Sequence, residues 1–206
     1  MYRVFLSFCL STLIVSSAAA QTTETRVKSV KRDRGACPKA YIGLNIGVNN
    51  PNGLFGISAD IPVIKHFSAA AGIGRSTWGW KYFGEVRGYL GECHRGWAAG
   101  VGVSHNTGLR DFQAELGTTQ GDKKVTLDLD PQTNAFVNLY HFFNLGKKRN
   151  RFSLMLGYSI PLESKSYKVK SGHVLNEDSK KAVETLAPGG VSIGIGFYFK
   201  VSSSVQ

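Results

Sequence analysis

Ser104-His105-Asn106 sets a hydroxyl, an imidazole and an amide side by side, the side-chain types that acyl transfer uses as nucleophile, base and orienting group. Their spacing works against that chemistry. Adjacent residues of a strand point to opposite faces, so an extended chain keeps Ser104 and His105 apart. The five histidines, His66, His94, His105, His141 and His173, show no Cys/His pairing with metal-ligand spacing, so neither a metal nor any other cofactor is implied. Asp60, Glu85 and Arg87 supply two carboxylates and a guanidinium that could form a proton path or an ion-pair network. Gly146-Lys147-Lys148-Arg149-Asn150-Arg151 concentrates four positive charges. Of the three cysteines, Cys9 lies in an apolar leader, leaving Cys37 and Cys93.

The elements that must position these groups read as follows. Residues 1–20, MYRVFLSFCLSTLIVSSAAA, combine Arg3, a run of about a dozen mostly apolar residues and a small-residue end, the pattern of a cleaved secretory signal peptide. A spanning helix needs about 20 apolar residues, more than this run offers. Residues 21–39 carry Arg26, Lys28, Lys31, Arg32, Arg34 and Lys39 without apolar periodicity and read as a basic, flexible tail.

From Tyr41 onward the dominant period is two, and no helical stripe stands out. Eight segments alternate bulky apolar residues with Gly, Asn and Ser. Ile42, Leu44, Ile46 and Val48 oppose Gly43, Asn45, Gly47 and Asn49; near the C-terminus Val191, Ile193, Ile195, Phe197 and Phe199 oppose Ser192, Gly194, Gly196, Tyr198 and Lys200. Between them lie segments 54–61, 67–74, 82–90, 97–106, one ending at Phe143, and 152–160. Glycine at 24 of 206 residues exceeds the average of about 7%.

A soluble barrel or sandwich should show a charged second face. Small uncharged residues instead suit the narrow interior of an eight-stranded barrel, with the apolar faces turned to lipid. The expected fold is therefore all-β, an eight-stranded antiparallel up-and-down transmembrane barrel over residues 40–200, with a C-terminal tail at 201–206. With a periplasmic N-terminus, Phe67, Trp97, Phe143, Phe152 and Phe199 gather at the inner rim, and Phe55, Tyr82, Trp78 and Trp80 at the outer one. The inner connections are short. The long ones, 107–130 and 163–190, fall outside.

The leader, the eight alternating segments and the closing strand Gly190-Val191-Ser192-Ile193-Gly194-Ile195-Gly196-Phe197-Tyr198-Phe199 resemble the small bacterial outer-membrane β-barrel proteins, the OmpA-barrel and OmpX-like group. The chain departs from that group in continuing through Lys200–Gln206 beyond the terminal aromatic. The resemblance implies export to the bacterial outer membrane, contact with outer-membrane lipids and insertion by the barrel-assembly machinery. It implies no single activity.

Within this frame Asp60, Glu85 and Arg87 face the lumen, where an ion-pair network that fills a closed interior is expected over a gate or proton path. Lys147, Lys148, Arg149 and Arg151 read as a periplasmic basic patch, suited to anionic headgroups or simply to water. Cys37 and Cys93 lie on the same side of the membrane in an oxidising compartment, which leaves open either a disulfide or two free thiols. Residues 107–130 read as strands five and six carried beyond the membrane, with Val125, Leu127 and Leu129 on one face; that hairpin could meet an extracellular ligand or protein. A non-enzymatic, monomeric envelope protein, structural or surface-interacting, is expected, with no nucleic-acid partner. The alternative is a lipid-modifying outer-membrane enzyme of acyl hydrolase or transferase type.

Overall fold

A computed structural model describes residues 37–146, 150–163, 167–172 and 174–203. The leader, most of the basic tail, Lys147, Lys148, Arg149 and His173 lie outside the described residues.

Eight strands close into an antiparallel barrel: β1 (Pro38–Val48), β2 (Phe55–Ile64), β3 (Phe67–Ser76), β4 (Gly79–Tyr89), β5 (Gly96–Asn106), β8 (Gln132–Leu145), β9 (Asn150–Pro161) and β11 (Gly190–Ser203). Each pairs with its neighbours along the chain, and β11 closes the ring on β1. The topology is up-and-down, the fold implied by the family resemblance. The barrel begins and ends a few residues beyond 40–200, because β11 stays paired through Ser203 opposite Pro38.

The period of two explains the sidedness. Along β4, Phe83, Glu85, Arg87 and Tyr89 are buried inside, while Tyr82 and Val86 lie exposed outside. The same alternation leaves Ile42, Leu44, Ile46, Val101, Val103, Leu156 and Ile193 exposed on the outer surface. Glycines on the inner face make room for larger partners. A Cβ on Gly100 would collide with the Glu85 carboxylate, and one on Gly157 with the Asn138 amide.

The two ends differ. At the end holding the chain termini the connections are tight, such as Lys65-His66 between β2 and β3. At the other end two long excursions form a separate three-stranded sheet of β6 (Leu109–Thr118), β7 (Gly121–Leu129) and β10 (Tyr167–Val169), order β10-β7-β6. The 109–129 hairpin is thus laddered, but it does not continue the barrel strands as expected. The barrel ladder stops at Asn106 opposite Gln132, and Gly108, at φ 75°, bends the chain away. Only glycine enters that left-handed region without cost.

A helix, α1 (Glu177–Leu186), follows β10 within the long 163–190 connection, correcting the reading that no helical stripe occurs after Tyr41. Asn176 caps it, its side chain accepting from the Ser179 amide at 2.9 Å. Val183 of this helix packs with Val125, Leu127, Leu129, Leu175, Ala187 and Trp78. Trp78 is therefore not an outer-rim residue. It is buried in this small loop-end core, its indole N–H donating to the Asp130 carbonyl at 2.8 Å.

Candidate functional site

The lumen holds the densest chemistry of the molecule. Near the terminal end, β2 presents Asp60, β4 presents Glu85, Arg87 and Tyr89, β8 presents Tyr140 and Phe142, β9 presents Arg151 and β11 presents Tyr198. Asp60 Oδ2 accepts from Arg151 Nη2 at 2.7 Å, from the Tyr89 hydroxyl at 2.9 Å and from Arg87 Nη1 at 3.3 Å. Glu85 Oε2 accepts from Arg87 Nε at 2.8 Å, and its Oε1 from the Tyr140 hydroxyl at 2.8 Å. Two carboxylates thus balance two guanidiniums, all four out of contact with water. Buried charges persist only when so paired and hydrogen-bonded.

The sequence-predicted trio of Asp60, Glu85 and Arg87 is brought together. Its fourth member is Arg151, and that changes the reading of the basic run. Arg151 is not part of a periplasmic patch: its exposure is 0%, and its Nη1 donates to the His94 carbonyl at 2.7 Å. It is the first inward position of β9, in phase with Ser153 and Met155, and that phase was the available signal. Aromatic rings add what charge alone could not reveal. The Arg151 guanidinium lies 3.6 Å from the Tyr41 ring centre and 4.5 Å from that of Phe142, and Arg87 lies 4.5 Å from that of Tyr140. Stacking on rings suits guanidinium better than ammonium, which argues that lysine would not substitute at either place.

Above this network, Phe83 and Phe136 meet across the lumen at 6.4 Å and, with Ala70, form an apolar layer. Toward the loop end the lumen is polar again, with Asn50, Asn52, Lys81, Asn106, Gln132 and Asn134 buried. Among the described residues these buried layers fill the lumen.

The terminal mouth is closed by a bridge. Cys37 and Cys93 are joined as a disulfide, their Cα atoms 5.1 Å apart. Cys93 and His94 adopt φ of 53° and 60°, which folds the β4–β5 turn back beneath the barrel and shortens the path between strands that lie well apart around the ring. His94 becomes buried under the lumen, its Nε2 3.0 Å from the Ile64 carbonyl.

Ser104 points inward and His105 outward, where its Nδ1 meets the Thr133 hydroxyl at 3.1 Å, so the two form no dyad. His66-Phe67-Ser68 has the His-x-Ser spacing that could place both on one face, and sequence reasoning passed over it. There the Ser68 hydroxyl donates to the Tyr89 hydroxyl at 3.3 Å, while His66 Nδ1 sits 3.2 Å from the Tyr89 carbonyl. The two side chains engage separate groups. Among the described residues no three His, Cys, Asp or Glu side chains cluster as a metal would require.

Outside the barrel, Asp128 of β7 accepts from the Asp111 amide at 2.9 Å and from Lys170 at 3.1 Å, and Asp111 also pairs with Lys170 at 2.8 Å. The backbone hydrogen bond, aided by Lys170, holds the Asp128 carboxyl below its ordinary range. The apolar face of the hairpin, which sequence alone left free for a partner, is covered by the chain's own helix. The charged face stays exposed, while the outer edge of β6 is bridged at its Thr118 end by Leu175 and Asn176.

No known protein-family profile matches this chain. No curated protein matches it in sequence. Among solved structures, the N-terminal β-barrel domain of Pseudomonas aeruginosa OprF is similar to it, with 14% identity and a TM-score of 0.40 over 78% of this chain and 96% of that one.

Proposed function

We propose that this protein is a non-enzymatic β-barrel of the bacterial outer membrane, with a structural or surface-interaction role carried by its loop-end sheet. One observation carries the reading: the usual distribution of a soluble protein is reversed. The charged residues Asp60, Glu85, Arg87 and Arg151 are sealed inside, while Ile42, Ile46, Val101, Val137, Leu156, Ile193 and their neighbours form a continuous exposed apolar belt. Exposed apolar area of that extent is stable against hydrocarbon and costly against water. Phe67, Trp97, Phe143 and Phe199, on four different strands, stand exposed at the terminal end of the belt, and Phe55, Trp80, Tyr82 and Tyr158 toward the other. Such residues suit the two interfaces of a bilayer.

The asymmetry of the connections supports an orientation with the termini in the periplasm and the β6-β7-β10 sheet outside. A membrane-impermeant amine reagent applied to intact cells tests it. Exposed Lys123, Lys124 and Lys168 of the sheet should label, while Lys39 and Lys65 at the terminal end should label only after the cells are broken. Equal labelling of both sets in intact cells, or labelling of the terminal set alone, would refute the assignment.

A further inference from the structure

Among the described residues, five Asp, Glu, Lys or Arg side chains are buried in the barrel, and four of them balance. The fifth is Lys81, near the loop end of β4, with 2% of its surface exposed. It takes part in none of the ion pairs or side-chain hydrogen bonds among the described residues. Glu85 lies four residues along the same strand, about 13 Å away at ~3.3 Å per residue. The Phe83–Phe136 layer stands between. Lys81 therefore has an ammonium that neither lumen carboxylate reaches.

It lines a cavity of about 20 Å³ at the loop-end mouth, with Asn49, Ser76, Thr77, Asn106 and Pro188 among the walls. The roof is fixed: the Thr77 hydroxyl donates to the Leu186 carbonyl at 3.0 Å, and the Asn49 amide to the Gly189 carbonyl at 2.7 Å. Most polar groups of the walls are already committed. Ser76 Oγ contacts both the Gly79 carbonyl and Asn106 Oδ1 at 3.0 Å, which leaves the ammonium as the group seeking a partner. In the same layer, opposite Asn106 in the ladder, the Gln132 amide is buried with neither atom bonded. Burying a cation without a counter-charge is costly, and a bound anion offsets that cost. The small volume suits a compact anion better than phosphate, carboxylic acids or sugars.

We propose that the Lys81 cavity is a binding site for one monatomic anion, chloride under ordinary conditions. The bound halide neutralises the fifth lumen charge and ties the loop-end roof to β4. This site stands independently of the membrane assignment, since it is built from the chain's own loop-end residues and β4.

The folded full-length chain in detergent micelles is the material for the test. Replacing gluconate by chloride at constant ionic strength should raise the thermal midpoint by about 3 °C once chloride exceeds its dissociation constant roughly tenfold. Lys81→Met should abolish the response, while Lys65→Met, at an exposed turn, should keep it. Crystals of the unmodified protein grown in bromide should show an anomalous peak beside Lys81 Nζ, a readout that does not depend on the variant folding. A midpoint indifferent to chloride, an equal response in Lys81→Met, or a cavity holding water alone in bromide would each overturn the proposal.

Discussion

Asp60→Ala should destabilise the folded barrel by about 3–5 kcal/mol, the cost of leaving buried charge without its partner. The single carboxylate oxygen Oδ2 serves Arg87, Arg151 and Tyr89 together. Removing it strands the Arg151 guanidinium in a sealed interior and leaves Arg87 with Glu85 alone. Urea unfolding of the protein in lipid vesicles measures the effect. The double variant Asp60→Ala/Arg151→Met should lose clearly less than the two single losses combined, because each removes the other's unpaired charge. The exposed pair Lys65–Glu92, at 3.4 Å, is the control, and Lys65→Ala should barely move the midpoint. A loss for Asp60→Ala as small as that control's would show that the network is solvated and its pairing dispensable.

Replacing both Cys37 and Cys93 by serine should cost about 4 kcal/mol on the chain-entropy account of a cross-link of this span. The two residues are 56 positions apart, so the bridge ties β1 through β4 into one loop and restricts the unfolded chain. A second consequence is local. Without the bridge the turn that buries His94 beneath the lumen loses its tether, and the Arg151–His94 contact loses its support. Thiol titration of the unreduced protein should find neither cysteine reactive, and reduction should lower the urea midpoint of the parent but leave the double serine variant unchanged. Two reactive thiols, or a double variant as stable as the parent, would refute the bridge's role.

How much of this was legible in the sequence depends on the range of the interaction concerned. The barrel follows from period two, a local property: Ile42, Leu44 and Ile46 face out because Gly43, Asn45 and Gly47 face in. The lumen trio was legible for the same reason, since Glu85 and Arg87 share a strand face. Arg151 was misassigned because Lys147, Lys148 and Arg149 precede it and the run looked uniform; its phase with Ser153 outweighs its neighbours' charge. Helix α1 was missed because its amphipathic signal is thin, with only Ser179 and Val183 buried. Trp78 could not be placed, because its partners Val125, Leu127 and Leu129 come some fifty residues later. The disulfide stayed open because the back-folded turn at Cys93 and His94 carries no local signature that fixes its direction.

The reversed placement of apolar and charged residues is tested most directly by refolding. The full chain, diluted from urea with and without detergent or lipid, is followed by the gel mobility of unheated and boiled samples. With detergent or lipid, the unheated protein should run as a compact band that shifts on boiling; without either, it should yield no folded monomer. A water-soluble folded monomer formed without detergent or lipid would contradict the transmembrane barrel.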